Sequence, residues 1–175
     1  SEAAPMLKQQ YEAKPSEQNV TFLAYALEGN NQKQAAIELL ENHSLEYGLQ
    51  PRVSLILANI YLSTDKNKAI IEYEKLIKVQ PNNIVLLNNL SWLYMEKKLF
   101  SQALIHAEKA YSLSPELSDV VDTYAQVLLS SGKAAKALVK AEEAYKLSKG
   151  ESVDISLNFV ETLLANNYIE QAKNI

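Results

Sequence analysis

PNNIVLLNNLSWLYMEKKLFSQALIHAEKAYSLSP, residues 81–115, opens and closes on proline, and the two prolines stand 34 residues apart. Between them Leu87, Leu90, Ser91 and Tyr94 recur at i, i+3, i+4 and i+7, which is one face of an α-helix. A polar break follows at Glu96, Lys97 and Lys98. In the second run Ala103, Ala107 and Ala110 share a face, and side chains that small let two helix backbones come close. The stretch therefore reads as a helical hairpin, and its length is a repeat period.

The same spacing extends in both directions. Residues 51–81 give Leu57, Ala58 and Tyr61, then Ala69, Tyr73, Leu76 and Pro81. Ala58 to Ala69 is 11 residues against 12 from Ser91 to Ala103, so the turn at 63–67 is one residue short. Residues 17–50 give Leu23, Ala24 and Leu27, a turn at Gly29, Asn30 and Asn31, then Ala36 and Leu40. There His43 takes a place that is small elsewhere, and the connection 42–51 does not define its helix ends. Ala3, Ala4, Leu7 and Tyr11 before Pro15 read as the second helix of an earlier unit. Residues 116–149 give Val121, Tyr124, Ala125 and Leu128, a turn at 130–133, then Ala137, Ala141 and Ala144. The last unit gives Phe159, Val160, Leu163 and Leu164, then Asn166, Asn167 and Ala172. The expected organisation is one solenoid fragment over 1–175: a half repeat at 1–15, repeats at about 16–50, 51–81, 82–115 and 116–149, and a partial repeat at 150–175. A chain cut inside repeats at both ends is expected to be part of a longer protein, with apolar stripes at Met6, Leu7 and Ile175 that favour self-association.

With Ile84 as the first position, Leu87, Leu90, Ser91, Tyr94, Ala103, Ala107, Ala110 and Pro115 fall on positions 4, 7, 8, 11, 20, 24, 27 and 32 of the tetratricopeptide repeat. The chain resembles that family, departing from it in having Leu87 for an aromatic residue and Ala107 for a larger apolar one. The resemblance implies an all-α, right-handed α-solenoid of stacked helix-turn-helix repeats. It also implies a concave surface lined by the first helix of each repeat, and a protein or peptide as partner. Within residues 84–147, the phrases Leu-Asn-Asn-Leu-Ser-Trp-Leu-Tyr and Ala-Glu-Lys-Ala-Tyr-Ser-Leu-Ser-Pro look like the tetratricopeptide lipoproteins of bacterial exosortase systems, implying a bacterial cell envelope or periplasmic setting, with the cytoplasm as the alternative.

Composition excludes several functions. The net charge of −4 offers no general attraction to nucleic acid, and no apolar run is long enough for direct membrane insertion. Cysteine is absent, and His43 and His106 lie in different repeats, so thiolate and clustered-histidine metal sites are not expected. His106 reads as a solvated helix residue and His43 as a partly buried imidazole. Glu142 and Glu143 are adjacent, so they diverge by about 100° around a helix. No phosphate-binding glycine loop is present. Neither an enzyme nor a cofactor is expected.

Function is expected on the first helices, at positions 2, 5, 6 and 9. The partner-binding candidates there are Phe22, Tyr25, Arg52, Asn59, Asn88, Asn89, Trp92, Asp119, Asp122 and Gln126. The same positions add Gln18, Thr21, Leu55, Ile56, Val85, Thr123, Asp154, Leu157, Asn158 and Glu161. Amides can bond a peptide backbone as donor and acceptor, while aromatics supply apolar area. The basic clamp with which one tetratricopeptide class holds a C-terminal carboxylate is not matched, because Gln18, Phe22, Ile56 and Val85 stand at four of its positions. Two functions fit: an interaction module with a ligand in the concave groove, and a scaffold that assembles complexes through its convex face or ends.

Overall fold

The computed structural model describes residues 3–175; Ser1 and Glu2 of the expected half repeat lie outside them. Among the described residues the regular structure is helical, with no strand. The helices fall into two compact units, one ending at Val79 and the other spanning Gln80–Ile175.

The first unit holds α1 (Ala3–Ala13), α2 (Glu17–Gly29), α3 (Lys33–Tyr47), α4 (Pro51–Thr64) and α5 (Lys66–Val79). The pairs α2/α3 and α4/α5 are hairpins, and α2 packs on both α1 and α4. Ser16 caps α2 by accepting from the Asn19 N–H at 3.2 Å, and Pro51 starts α4, where its missing N–H costs no intrahelical bond.

The second unit holds α6 (Ile84–Glu96), α7 (Phe100–Leu113), α8 (Ser118–Ser130), α9 (Ala134–Leu147), α10 (Val153–Ala165) and the short α11 (Ile169–Ala172). Here α8 is central, packing on α6, α7, α9 and α10. The alanine stripes lie inside: Ala103, Ala107, Ala110, Ala137, Ala141 and Ala144 are at most 1% exposed. Ala125 and Ala141 meet Phe159 and Leu163 of the next hairpin, and Val121 and Ala144 meet Ile155. Burying each large apolar side chain of this kind contributes about 1.5–3 kcal/mol.

One turn recurs. Asn31, Lys98, Gly132 and Asn167 each lie two residues beyond a first helix, and all have left-handed φ values of 59–78°. The next residue's N–H reaches back five places, as from Gln32 to the Leu27 carbonyl and from Lys133 to that of Leu128, both at 2.9 Å. This closes the helix end with a Schellman-type bond. The shortened α4–α5 turn has no left-handed residue. Instead Asp65 ends α4 and accepts from the N–H groups of Asn67 and Lys68, at 2.9 and 3.2 Å, to start α5.

Both histidines differ from expectation. His43 is fully buried, with Nδ1 2.9 Å from the Tyr11 hydroxyl and Nε2 3.0 Å from Gln50 Oε1. The amide oxygen can only accept, so Nε2 carries the proton and Nδ1 accepts from Tyr11. His106 is half-buried, its ring stacked parallel to that of Tyr94 with centroids 5.6 Å apart. The flat faces of these rings are apolar enough to pack beside the stripe.

Candidate interaction surface

In the first unit the side-by-side packing of α2 and α4 leaves Phe22, Tyr25, Arg52, Leu55 and Asn59 exposed. Thr21 and Ile56 turn inward instead, and the Thr21 hydroxyl donates to the Glu17 carbonyl within its own helix. Glu17 ties the two helix starts by accepting the Arg52 backbone N–H at 3.1 Å. Asn59 Oδ1 is already engaged, accepting from the Tyr73 hydroxyl at 2.8 Å. Tyr73 comes from α5, and the repeat pattern carried no signal of that bond.

In the second unit α6, α8 and α10 supply the corresponding face. Val85 and Leu157 are exposed, and Trp92 is 39% exposed, so the indole is not enclosed by packing. Asn88, Asn89, Asp122, Thr123, Gln126 and Asn158 are half-buried, while Asp119, Asp154 and Glu161 face solvent. A cavity of about 230 Å³ lies between α6 and the start of α8, lined in part by Val85, Asn88, Asn89 and Asp119. Asp122 Oδ2 accepts from Asn158 Nδ2 at 2.8 Å, linking α8 to α10.

Three polar atoms on this face are buried without a hydrogen-bond partner: Asn88 Oδ1, Asp122 Oδ1 and Gln126 Nε2. Leaving such an atom unpaired costs about 1–3 kcal/mol. Burial pushes the Asp122 carboxyl up to about 6; the Asn158 bond pulls the other way, and the neighbouring Asp119 and Asp154 charges add to the rise. Charge is also segregated. The helices α6, α8 and α10 carry Glu96, Asp119, Asp122, Asp154 and Glu161 and no lysine or arginine. Every basic residue of this unit stands on a second helix or in a turn.

Elsewhere in the first unit the surface has a different character. Between α1 and α3, over Leu23 and Leu27 of α2, lies a mainly apolar groove of about 530 Å³ edged by Ala35 and Leu39. Among the described residues no three His, Asp or Glu side chains gather as a metal site would require. No helix among them is long and apolar enough to cross a membrane.

No family model matches the sequence, and no curated protein matches it. Solved structures do. A tetratricopeptide repeat protein from Parabacteroides merdae superposes with a TM-score of 0.84 at 13% identity, over 98% of this chain and 69% of that one. MamA from Desulfovibrio magneticus RS-1 gives 0.79 at 12% identity, over 89% and 88%. YrrB, described as a tetratricopeptide protein with an unusual peptide-binding site, gives 0.77 at 16% identity, over 97% and 88%. The likeness is one of fold. The chain has the tetratricopeptide-repeat fold, an all-α solenoid of stacked helical hairpins.

Proposed function

We propose that the chain is a non-catalytic protein-interaction module that holds a peptide or partner segment on its first-helix face. The observation that carries this reading is the set of unpaired atoms in the second unit. Asn88 Oδ1 and Asp122 Oδ1 need donors, whereas Gln126 Nε2 needs an acceptor. A peptide backbone presents both kinds of group along its length, and the exposed Val85, Trp92 and Leu157 would cover its apolar side chains. The peptide-binding site named for YrrB supports the reading by likeness of fold. In the first unit Phe22, Tyr25, Arg52 and Asn59 are assigned to apolar anchoring and backbone contact in the same way.

The test is affinity capture from the source organism with wild type, Asn88→Ala and Gln126→Ala. Each substitution removes an unpaired buried atom, so folding should not suffer. Loss of the same partner from both variants, with melting temperatures unchanged or raised, is expected. Its retention in both overturns groove binding.

A scaffold reading is favoured by one observation, the apolar groove between α1 and α3. Ala35→Arg would fill that groove, and loss of partners from this variant alone would select the scaffold. A bacterial envelope setting in an exosortase system rests on the phrase likeness of residues 84–147. Recovery of the chain only in the cytoplasmic fraction of the source cells overturns it.

A further inference from the structure

Resting on the interaction reading above, we infer that the first-helix face of the second unit seats a lysine or arginine side chain of the partner on Asp122. Four features of the site lead there. Asp122 Oδ1 is buried and unpaired, and the other oxygen of the carboxylate accepts from a neutral amide, Asn158 Nδ2. An ionised carboxylate in that position has lost its hydration without gaining a counter-charge. An incoming cation therefore meets a group whose desolvation has already been incurred.

The second feature is the sign of everything nearby. Asp119 on α8 and Asp154 on α10 both act on Asp122 as like charges. The neighbouring α6 has no charged residue before Glu96. On the far side of α8, Glu108 of α7 and Lys140 of α9 act on Tyr124. The face therefore attracts a basic segment and repels an acidic one.

The third is the helical spacing of Asp122 and Gln126. Residues four apart on a helix are neighbours, with Cβ atoms about 5–6 Å apart. A segment whose cationic head sits on Asp122 therefore runs past Gln126, and its main-chain carbonyl would pair with Nε2 once that amide turns outward. Fourth, the cavity beside Asn88 and Asp119 gives the segment room to continue toward α6, where Asn88 Oδ1 awaits an N–H donor.

The seat is also sensitive to pH. The Asp122 carboxyl, pushed up to about 6, is ionised at pH 7.5 and mostly neutral at pH 5. Affinity for a cation should fall about tenfold between those values, following the ionised fraction.

The test selects histidine-free linear 12-residue peptides from a random displayed library on the full chain at pH 7.5. Expected are peptides sharing a lysine or arginine, whose replacement by glutamine weakens binding at least tenfold. Asp122→Asn should cause the same loss and abolish the difference between pH 7.5 and pH 5. Peptides that lose affinity for Gln126→Ala yet need no basic residue and bind Asp122→Asn unchanged overturn this inference and leave the interaction module standing. Binders indifferent to both variants overturn this inference alone, and a selection that yields no binders overturns both.

Discussion

The Tyr11 hydroxyl donates to His43 Nδ1 across 2.9 Å, which fastens α1 to α3 through a fully buried imidazole. The ring is held on its other nitrogen by Gln50 and flanked by Tyr47, with ring centroids 4.5 Å apart. Removing either member strands the other. His43→Ala should cost about 2–4 kcal/mol, from the cavity and the unpaired groups together. Tyr11→Phe should cost about 1–2 kcal/mol. In urea denaturation the double variant should lose less than the sum, by at least about 0.5 kcal/mol. Strict additivity would show that the bond does not form.

The α3–α4–α5 side of the same unit carries a second fastening. The Tyr61 hydroxyl donates to Glu41, whose carboxylate also pairs with Lys68 at 3.0 Å. Burial, and after it the bond to Glu41, push the Tyr61 hydroxyl up to about 12. The folded value lies above the ordinary one near 10, so this group's contribution is complete below pH 10 and is lost as pH rises toward 12. Tyr61→Phe should cost about 1 kcal/mol at pH 7, and the gap from wild type should narrow above pH 10. A gap that stays constant into that range would contradict the assignment.

These two fastenings mark the boundary of what the sequence reveals. The alanine stripe was legible because Ala103, Ala107 and Ala110 recur where two backbones meet, a steric demand that only small residues satisfy. The turns were legible for a similar reason, since Gly132, Asn31 and Asn167 tolerate left-handed φ. The partners of His43 and Asn59 were not. Both bonds come from helices set by tertiary packing, and no periodic pattern encodes which phenol arrives. On the first-helix face the sequence reveals the residue types and their segregation of charge. It does not reveal that Asn88, Asp122 and Gln126 are left with unpaired atoms, because that depends on how deeply α8 settles between its neighbours.

The recurrent turn makes its own prediction. Lys98 has φ 59° where Gly132 has φ 78° in the next repeat. A side chain in the left-handed region costs about 1 kcal/mol, and glycine escapes that strain. Lys98→Gly should therefore stabilise the protein by about 0.5–1 kcal/mol, and Gly132→Ala should destabilise it by about as much. A Cβ on Gly132 would meet no atom within 4 Å, so the second change isolates strain from crowding. Thermal shifts of the same sign for both variants would contradict the turn.

Packing density sets another. Ala110 is 1% exposed within the hairpin, whereas its neighbour Lys109 is half-buried. Ala110→Leu should overpack and cost about 1–3 kcal/mol, while Lys109→Leu should change stability by less than about 0.5 kcal/mol. Melting curves of the two variants decide the register, and equal shifts would displace it.

Asp122 should make the protein less stable as pH rises, the reverse of a paired carboxylate. Its folded value of about 6 lies above the unpaired value of 3.8. Between pH 4 and pH 6 the folded chain holds a proton that the unfolded chain has released, so stability falls through that window and the full cost is present above it. The two values cap that cost at about 3 kcal/mol, and the solvent that still reaches this half-buried residue lowers it. Asp122→Asn keeps an acceptor for Asn158 and removes the charge. It should stabilise the protein by about 1–2 kcal/mol at pH 7.5 and by almost nothing at pH 4. Comparing wild type and variant by urea denaturation at both pH values cancels the titration of every other group. A gain that is equal at the two pH values, or a loss at pH 7.5, would mean that the carboxylate is not strained by its surroundings. A gain confined to high pH would show that the free protein keeps an acid on its first-helix face at a cost in stability, as expected of a group whose counter-charge arrives with the partner.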